Sequence, residues 1–354
     1  MMKLHKILFF LLIIPLFAFA NNDELAFVKI KNIKKAYFVK SDAGINIKNS
    51  YGNISVSTWD EDKIELDIMI KVSGDSEKWV NRRIDEIDVD INALVNLVTA
   101  KTIIGESDFY NNGNNNSFEI NYIIKIPKNG SVKLNNAYGH IFTNDILGSA
   151  DINCSYGKIV IAKLLGNSNK IDLAYCPKST IESIKSGTID ANYSNLVINE
   201  ANNLNLDADY TDVTIDDCKS LVFRADYAKL NFKKVNNLKG SGDYLAINIG
   251  EISGDLKVES SYGKVIVGLI HEKANNIEIN TEYAEISIGF ATEYAFDFDL
   301  SNKNGNIRLA DGFEYSNKEI TNNTKQFNGF YRQKGINKLK ISNEYGNINL
   351  IKKQ

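Results

Sequence analysis

A tyrosine recurs down this chain at a nearly constant interval, and no other feature restricts the fold as severely. Aligning on Tyr138, Tyr156, Tyr175, Tyr193, Tyr210, Tyr227, Tyr244, Tyr262 and Tyr283 gives steps of 18, 19, 18, 17, 17, 17, 18 and 21 residues. Asn304-Gly305 holds the next slot, Tyr345-Gly346 a final one after an insertion, and Tyr51 marks an early copy. A period sustained like this is the mark of a repeat architecture, in which each unit packs on its neighbours.

The apolar parity within a unit shows how the chain runs. Leu204, Leu206 and Ala208 alternate up to Tyr210, and the next apolar positions, Val213 and Ile215, fall three and five residues beyond it. The same scheme places Leu221, Phe223 and Ala225 before Tyr227, with Leu230 and Phe232 after it. A slip of one in a period-two pattern means that the chain turns a corner while keeping its apolar side inward. A further inward position falls eight after the tyrosine, at Ile146, Leu164, Ala201, Val235 and Ile252. The pattern predicts an all-β chain, a parallel β-solenoid (β-helix) with 17–18-residue coils paired through ladders about 4.8 Å apart.

Because the tyrosine shares the parity of the buried residues, Tyr156, Tyr175, Tyr193, Tyr210, Tyr227, Tyr244, Tyr262 and Tyr283 are expected to form an inward-closing aromatic ladder along one edge. Glycine after the tyrosine suits a corner, where positive φ costs it little, although other residues also fill that spot. An exposed tyrosine platform for sugars is the functional alternative to a structural ladder.

The ends depart from the repeat. "KIELDIMIKVS" (63–73) alternates strictly, and "GDSEKWVNRRIDE" can form a short helix that brings Trp79 or Val80 together with Arg83 and Ile84. Two more alternating stretches follow, "IDVDINALVNLV" and "FEINYIIKI", separated by the Asn-rich "GESDFYNNGNNNS". These segments read as a small strand-plus-helix cap, which a stack of strands needs to hide its bare end. Residues 311–338 read as an irregular insertion, and "IKKQ" as an end that sets lysines on the last edge.

Lys3, His5 and Lys6 followed by "ILFFLLIIPLFAFA" describe a secretory signal peptide over residues 1–20, too short and too interrupted by Pro15 to favour a membrane span. The expected division is therefore 1–20 signal peptide, 21–128 cap with the first coil, and 129–354 repeats. No later stretch is apolar and long enough to cross a bilayer, so the mature chain is expected in the periplasm, on the cell surface or secreted. Its mild net negative charge argues against nucleic acid as a partner.

The order of these features resembles the putative adhesin domain family of exported bacterial proteins, also called auto-transporter adhesin-like. The matching elements are the signal peptide, an early "YGNISV", the long strand plus helix, "YIIKIPKNGSVKLNNAYGHIFT", and tyrosine/glycine coils to the end. The resemblance covers essentially the whole mature chain. It implies a β-solenoid in the envelope or outside the cell, and carries over no catalytic residue.

Stacking turns sequence columns into surface rows, and two rows are acidic. Asp209, Asp226 and Asp243 lie one before the tyrosine; Asp172, Asp190 and Asp207 lie three before it, followed by Arg224. Carboxylates roughly 5 Å apart repel unless solvent or a cation screens them. Asp207, Asp209, Asp226 and Asp243 are therefore candidate Ca²⁺ ligands, set against a solvated face balanced by Arg224 and Lys229. No other cofactor is suggested. His140 and His271 lie far apart in the stack and read as surface residues. Cys154 and Cys218 fall at inward positions and Cys176 at a corner, with columns that set Cys154 and Cys176 roughly 10 Å apart along a strand, so no disulfide is expected.

The expected function is an exported, non-enzymatic binding or scaffolding protein of the envelope, with a polysaccharide or a protein as partner. The alternative is a carbohydrate-active β-helix enzyme using outward carboxylates.

Overall fold

The computed structural model describes residues 27–105 and 115–353; the signal peptide expected at 1–20 and most of the Asn-rich loop lie outside them. The described chain is all-β apart from one helix, and its 24 strands join in one large, mostly parallel sheet. Parallel, in-register pairing links successive repeats as far as Ile277–Ala291. Leu204 pairs with Leu221, Leu221 with Leu238, Leu238 with Leu256, and Leu256 with Ile277, so one inward column runs through five repeats. On the other side of the corner Ile198, Ile215 and Phe232 make a second column, continued by Ile249, Val267 and Ile288. Burying each of these side chains is worth roughly 1.5–3 kcal/mol, which is why the period-two parity holds on both limbs. The position eight after the tyrosine is buried as well, at Ile146, Leu164, Ala201, Cys218, Val235 and Ile252. Gly240 interrupts the inner column because the Phe223 ring fills its space; a Cβ there would lie 2.0 Å from the ring.

At the N-terminal end the strand Gly44–Ser50 pairs in parallel with Leu97–Ile104 and with Val132–Ala137. Antiparallel strands are then added outside. Lys63–Gly74 lies between Ser117–Pro127 and Phe27–Phe38, burying Ile64, Leu66, Ile68, Ile70 and Val72. The stretch 87–98 does not run as one strand. It folds at Val95-Asn96 into an antiparallel hairpin of Ile87–Leu94 with Leu97–Ile104. The helix Glu77–Asp85 is capped by Ser76, whose hydroxyl accepts from the Trp79 N–H, and buries Val80, Arg83 and Ile84. Arg83 donates to the Gly105 carbonyl at 3.1 Å, and its guanidinium sits 4.6 Å from the Phe118 ring centroid.

At the other end residues 311–338 are not irregular. Phe313–Ile320 and Thr324–Tyr331 form an antiparallel hairpin, and Thr324–Tyr331 also pairs antiparallel with Phe296–Lys303. Phe290, Phe296, Phe313 and Tyr331 pack edge-on and face-on over the end of the core. The C-terminal strand is not the last of the stack, although Lys352 and Lys353 are exposed and paired on one side only. Ile348–Lys353 pairs with Ile286–Ala291 on one side, and its first residues pair with Ile307–Leu309 on the other.

Candidate functional site: the tyrosine column and its corner

Eleven tyrosines stack in a single column: the nine aligned above, with Tyr51 at one end and Tyr345 at the other. Neighbouring centroids lie 4.6–5.0 Å apart with the planes within 10° of parallel. At the ladder spacing the column is roughly 50 Å long. Tyr345 stacks directly on Tyr283, so Asn304 does not occupy the slot after Tyr283.

The rings do not point inward as their parity suggests. From Tyr138 to Tyr345 each is 43–52% exposed. The backbone explains the difference, because every tyrosine of the column is left-handed, with φ between +50° and +61°. That conformation swings the ring outward and turns the following residue in, so Cys176, Ala228, Leu245 and Ala284 are buried. The parity slip is therefore made by the tyrosine itself, and the residue after it is the first inward position of the next limb. A left-handed L-residue costs about 1–2 kcal/mol, and each stacked aromatic pair returns about 0.5–1.5 kcal/mol beyond its burial. Asn304, which has φ +55° and stands outside the column, is a residue type that tolerates this conformation.

Behind several of the rings, two inward positions share one space. Where the residue two before the tyrosine is Asn, the residue after it is glycine: Asn49 with Gly52, Asn136 with Gly139, Asn343 with Gly346, and Asn302 with Gly305 around Asn304. The buried amide donates to a corner carbonyl, as in Asn136 to Gly52 (2.8 Å) and His140 (3.1 Å), and Asn343 to Ala284 (3.1 Å). A Cβ on the glycine would lie 2.6 Å from the Asn302 amide in one case and 3.0 Å from that of Asn343 in another. In the middle of the stack the roles reverse. Leu173, Ala191 and Ala208 stand two before, and Cys176, Ser194 and Thr211 follow the tyrosine. Thr211 Oγ1 donates to the Ala191 carbonyl (2.9 Å) and accepts from the Ser194 N–H (3.1 Å).

The same fold-back brings two cysteines together. Cys176 Sγ donates to the Cys154 carbonyl at 3.1 Å, because the left-handed Tyr175 folds its successor over the position two before the neighbouring tyrosine. The separation of roughly 10 Å expected along an extended strand is thus not kept. All three cysteines are buried free thiols, and the Cys154 thiol is pushed up by its hydrogen bond with Cys176 and by burial.

The acidic row beside the column has a backbone role. Asp209 Oδ1 accepts the Asp226 N–H (3.0 Å), Asp226 Oδ1 the Asp243 N–H (2.8 Å), and Asp243 Oδ1 the Ser261 N–H (3.2 Å). Each carboxylate thereby pairs an amide at the kink before the tyrosine, while the tyrosine N–H itself donates onward, as Tyr210 does to the Asp226 carbonyl (3.0 Å). Asp207 accepts two bonds from Arg224, at 2.9 and 3.1 Å. Burial, then the Asp207 and Asp172 carboxylates, raise the Asp190 pKa. Among the described residues no group of three or more His, Cys, Asp or Glu is placed to hold a metal ion. His140 donates its N–H to Asn53 at the first corner, its imidazole pKa lowered by burial and Lys158; His271 lies in a distant turn, accepting from the Lys273 N–H.

Two open grooves flank the column. One, of about 800 Å³, runs along Tyr227, Tyr244 and Tyr262 with Lys229 and Lys264 on its rim. The other, of about 760 Å³, lies over the outward face of the long limb, where Asp243, Glu259, Glu282 and Glu344 face Lys303 among serine and asparagine side chains.

No family profile and no curated protein matches the chain. Several solved structures are similar at low identity. A putative cell adhesion protein from Clostridium sporogenes is 12% identical over 92% of this chain and all of its own, with a TM-score of 0.19. A putative adhesin from Parabacteroides merdae is 11% identical over 73% of this chain and 92% of its own, with a TM-score of 0.36. A putative lipid binding protein from Parabacteroides distasonis is 10% identical over 90% and 96%, with a TM-score of 0.30. The first two of these carry adhesion names and the third does not. Similarity of this degree assigns neither a family nor an activity.

Proposed function

We propose that the chain is an exported β-solenoid that serves as a non-enzymatic binding or scaffolding protein of the cell envelope or surface, with the tyrosine column as its contact face. In-register parallel pairing between successive repeats supports the solenoid. The observation that carries the functional reading is the unbroken column of half-exposed tyrosines. Stacking fixes the rings before any partner arrives, so binding costs little side-chain entropy, and their exposed edges offer both apolar contact and a hydroxyl. A row of identical groups at one spacing suits an extended, repeating partner, and an envelope polysaccharide is the first choice, a protein the second. The outward carboxylates have structural employment in this reading, on peptide N–H groups and on Arg224.

The test is co-sedimentation of the mature protein with insoluble envelope polysaccharide, comparing the parent with a Tyr193→Phe/Tyr210→Phe/Tyr227→Phe variant. Stacking survives in that variant and three hydroxyls are lost, so melting should be unchanged and binding should fall. Binding that is absent in the parent for both polysaccharide and envelope-protein fractions overturns the reading. Appearance of reducing ends during the incubation would instead favour the enzyme.

A further inference from the structure

The last repeat of the chain does not sit last. Lys338–Glu344 pairs in parallel with Ile277–Glu282 on one side and with Asp297–Lys303 on the other. Ile348–Lys353 lies in the same way beside Ile286–Ala291, with Ile307–Leu309 opposite its first residues. Residues 338–353 thus fill a gap one strand wide between two walls that precede them in sequence.

Those walls are tied together by groups that include none of the filling residues. Phe290, on the first wall, packs against Phe296 (5.5 Å), Phe313 (5.9 Å) and Tyr331 (5.2 Å) of the second. Tyr331 Oη donates to the Thr292 carbonyl at 3.3 Å. The frame of the gap therefore has its own cohesion. The filling segment is joined to it only through residues 332–337, where Ile336 is 54% exposed and Arg332 is left-handed with φ +62°. Inside the gap the contacts are local and symmetric. Asn343 donates to Ala284 on one wall, Asn302 of the other wall donates to Gly346, and Lys303 pairs with Glu344 at 2.7 Å.

We propose that this gap is an acceptor site for a second copy of the chain, so that molecules join by exchanging residues 338–353. Every contact described for the segment in its own chain is remade in the partner's gap, and only the hinge at 332–337 changes. Straightening that hinge releases the left-handed conformation of Arg332, against the bonds that Arg332, Gly335 and Asn337 give to Thr292, Asp297 and Ala295. A short flexible tether holds the segment at an effective concentration on the order of mM, so dilute protein stays closed and crowded protein, as on a surface, exchanges. The inference stands independently of any ligand on the tyrosine column.

The test uses full-length chains. Glu282 and Glu344 are register partners across the gap, and the three native thiols are buried. Glu282→Cys and Glu344→Cys chains are mixed, concentrated, warmed to just below melting and then oxidised mildly. The double variant Glu282→Cys/Glu344→Cys is treated in parallel. Expected is a disulfide-linked heterodimer, joined 282 to 344, whose share rises with protein concentration, together with a double variant locked as a monomer when it is oxidised before concentration. Absence of the 282–344 heterodimer at every concentration, while the double variant closes its internal bond, overturns the proposal. So does a double variant that folds but fails to close, or dimers joined only through 282–282.

Discussion

The corners at the two ends of the stack and those in its middle have the same left-handed backbone and opposite side-chain solutions. At Tyr51, Tyr138, Asn304 and Tyr345 a buried Asn supplies donors from two positions before, and glycine follows. At Tyr175, Tyr193 and Tyr210 the earlier position is Leu or Ala, and a thiol or hydroxyl after the tyrosine makes the hydrogen bonds. The comparison teaches that at these corners either of the two positions can fill the space and make the hydrogen bonds, while at Tyr227 and Tyr244 the flanking Ala225/Ala228 and Gly242/Leu245 carry no polar side chain at all. Cys154 with Gly157 is a halfway case, the thiol of Cys154 donating weakly to the Gly139 carbonyl at 3.6 Å.

The hardest blow to this comparison would come from Gly139→Ala. The added Cβ would lie 1.9 Å from the Gly52 carbonyl oxygen and 2.6 Å from its carbon, backbone that cannot step aside, so a loss of about 3 kcal/mol or more is expected in chemical denaturation. A loss under about 1 kcal/mol would show that end corners do not need glycine.

Transplanting one solution into the other region sharpens the point. Ala208→Asn alone overfills the middle corner against Thr211, and Thr211→Gly alone empties it and strips the Ala191 carbonyl. Combined, they rebuild the end-type corner, so the double variant should recover about 1–2 kcal/mol relative to the sum of the singles. Strict additivity would mean that the two positions do not share a space.

Smaller effects distinguish the acidic row of the middle repeats. Asp226→Ala leaves the Asp243 N–H without its acceptor and should cost about 1 kcal/mol, whereas Asp226→Asn keeps an accepting oxygen and should cost a few tenths. Calcium titration followed by melting temperature separates this account from cation binding. If Ca²⁺ stabilises the parent and Asp226→Asn abolishes that gain, the carboxylates serve a metal.

The smallest shift belongs to Asp190, whose pKa is raised in the folded chain by burial and by Asp207 and Asp172. The folded state therefore holds this proton more tightly than the unfolded one, and the repulsion is present at neutral pH and relieved as pH falls. Asp190→Asn should melt slightly higher than the parent at pH 7, and the two should converge below about pH 4. An Asn variant that melts lower at pH 7 would show that the carboxylate is stabilising.

Much of the repeat was legible because inward residues obey a strict parity: Leu204, Leu206, Val213 and Ile215 could be placed without a structure, and all are buried. The direction of the tyrosine rings was not legible. Parity counts residues and assumes extended backbone, and one left-handed residue reverses its outcome. A signal for the corner pair was nevertheless present, since the Asn two before the tyrosine travels with the glycine after it. The hairpin 313–331 escaped notice because its exposed strand, "FEYSNKEI", has little apolar alternation, and its order comes from Phe296, Phe313 and Tyr331 packing together.

By itself the sequence determined that the chain is all-β, that its repeats stack in register, and that a tyrosine, or Asn304 in one repeat, marks the turn. It could do so because burial, parity and chain length within one repeat are local quantities. Which repeat neighbours which was decided only in three dimensions. "NEYGNINLI" carries the same inward pattern as the other repeats, and parallel in-register pairing treats any neighbour alike. Its seat between Ile277–Ala291 and Phe296–Lys303 follows from the aromatic cluster that holds those walls one strand apart, a contact between residues far from it in sequence.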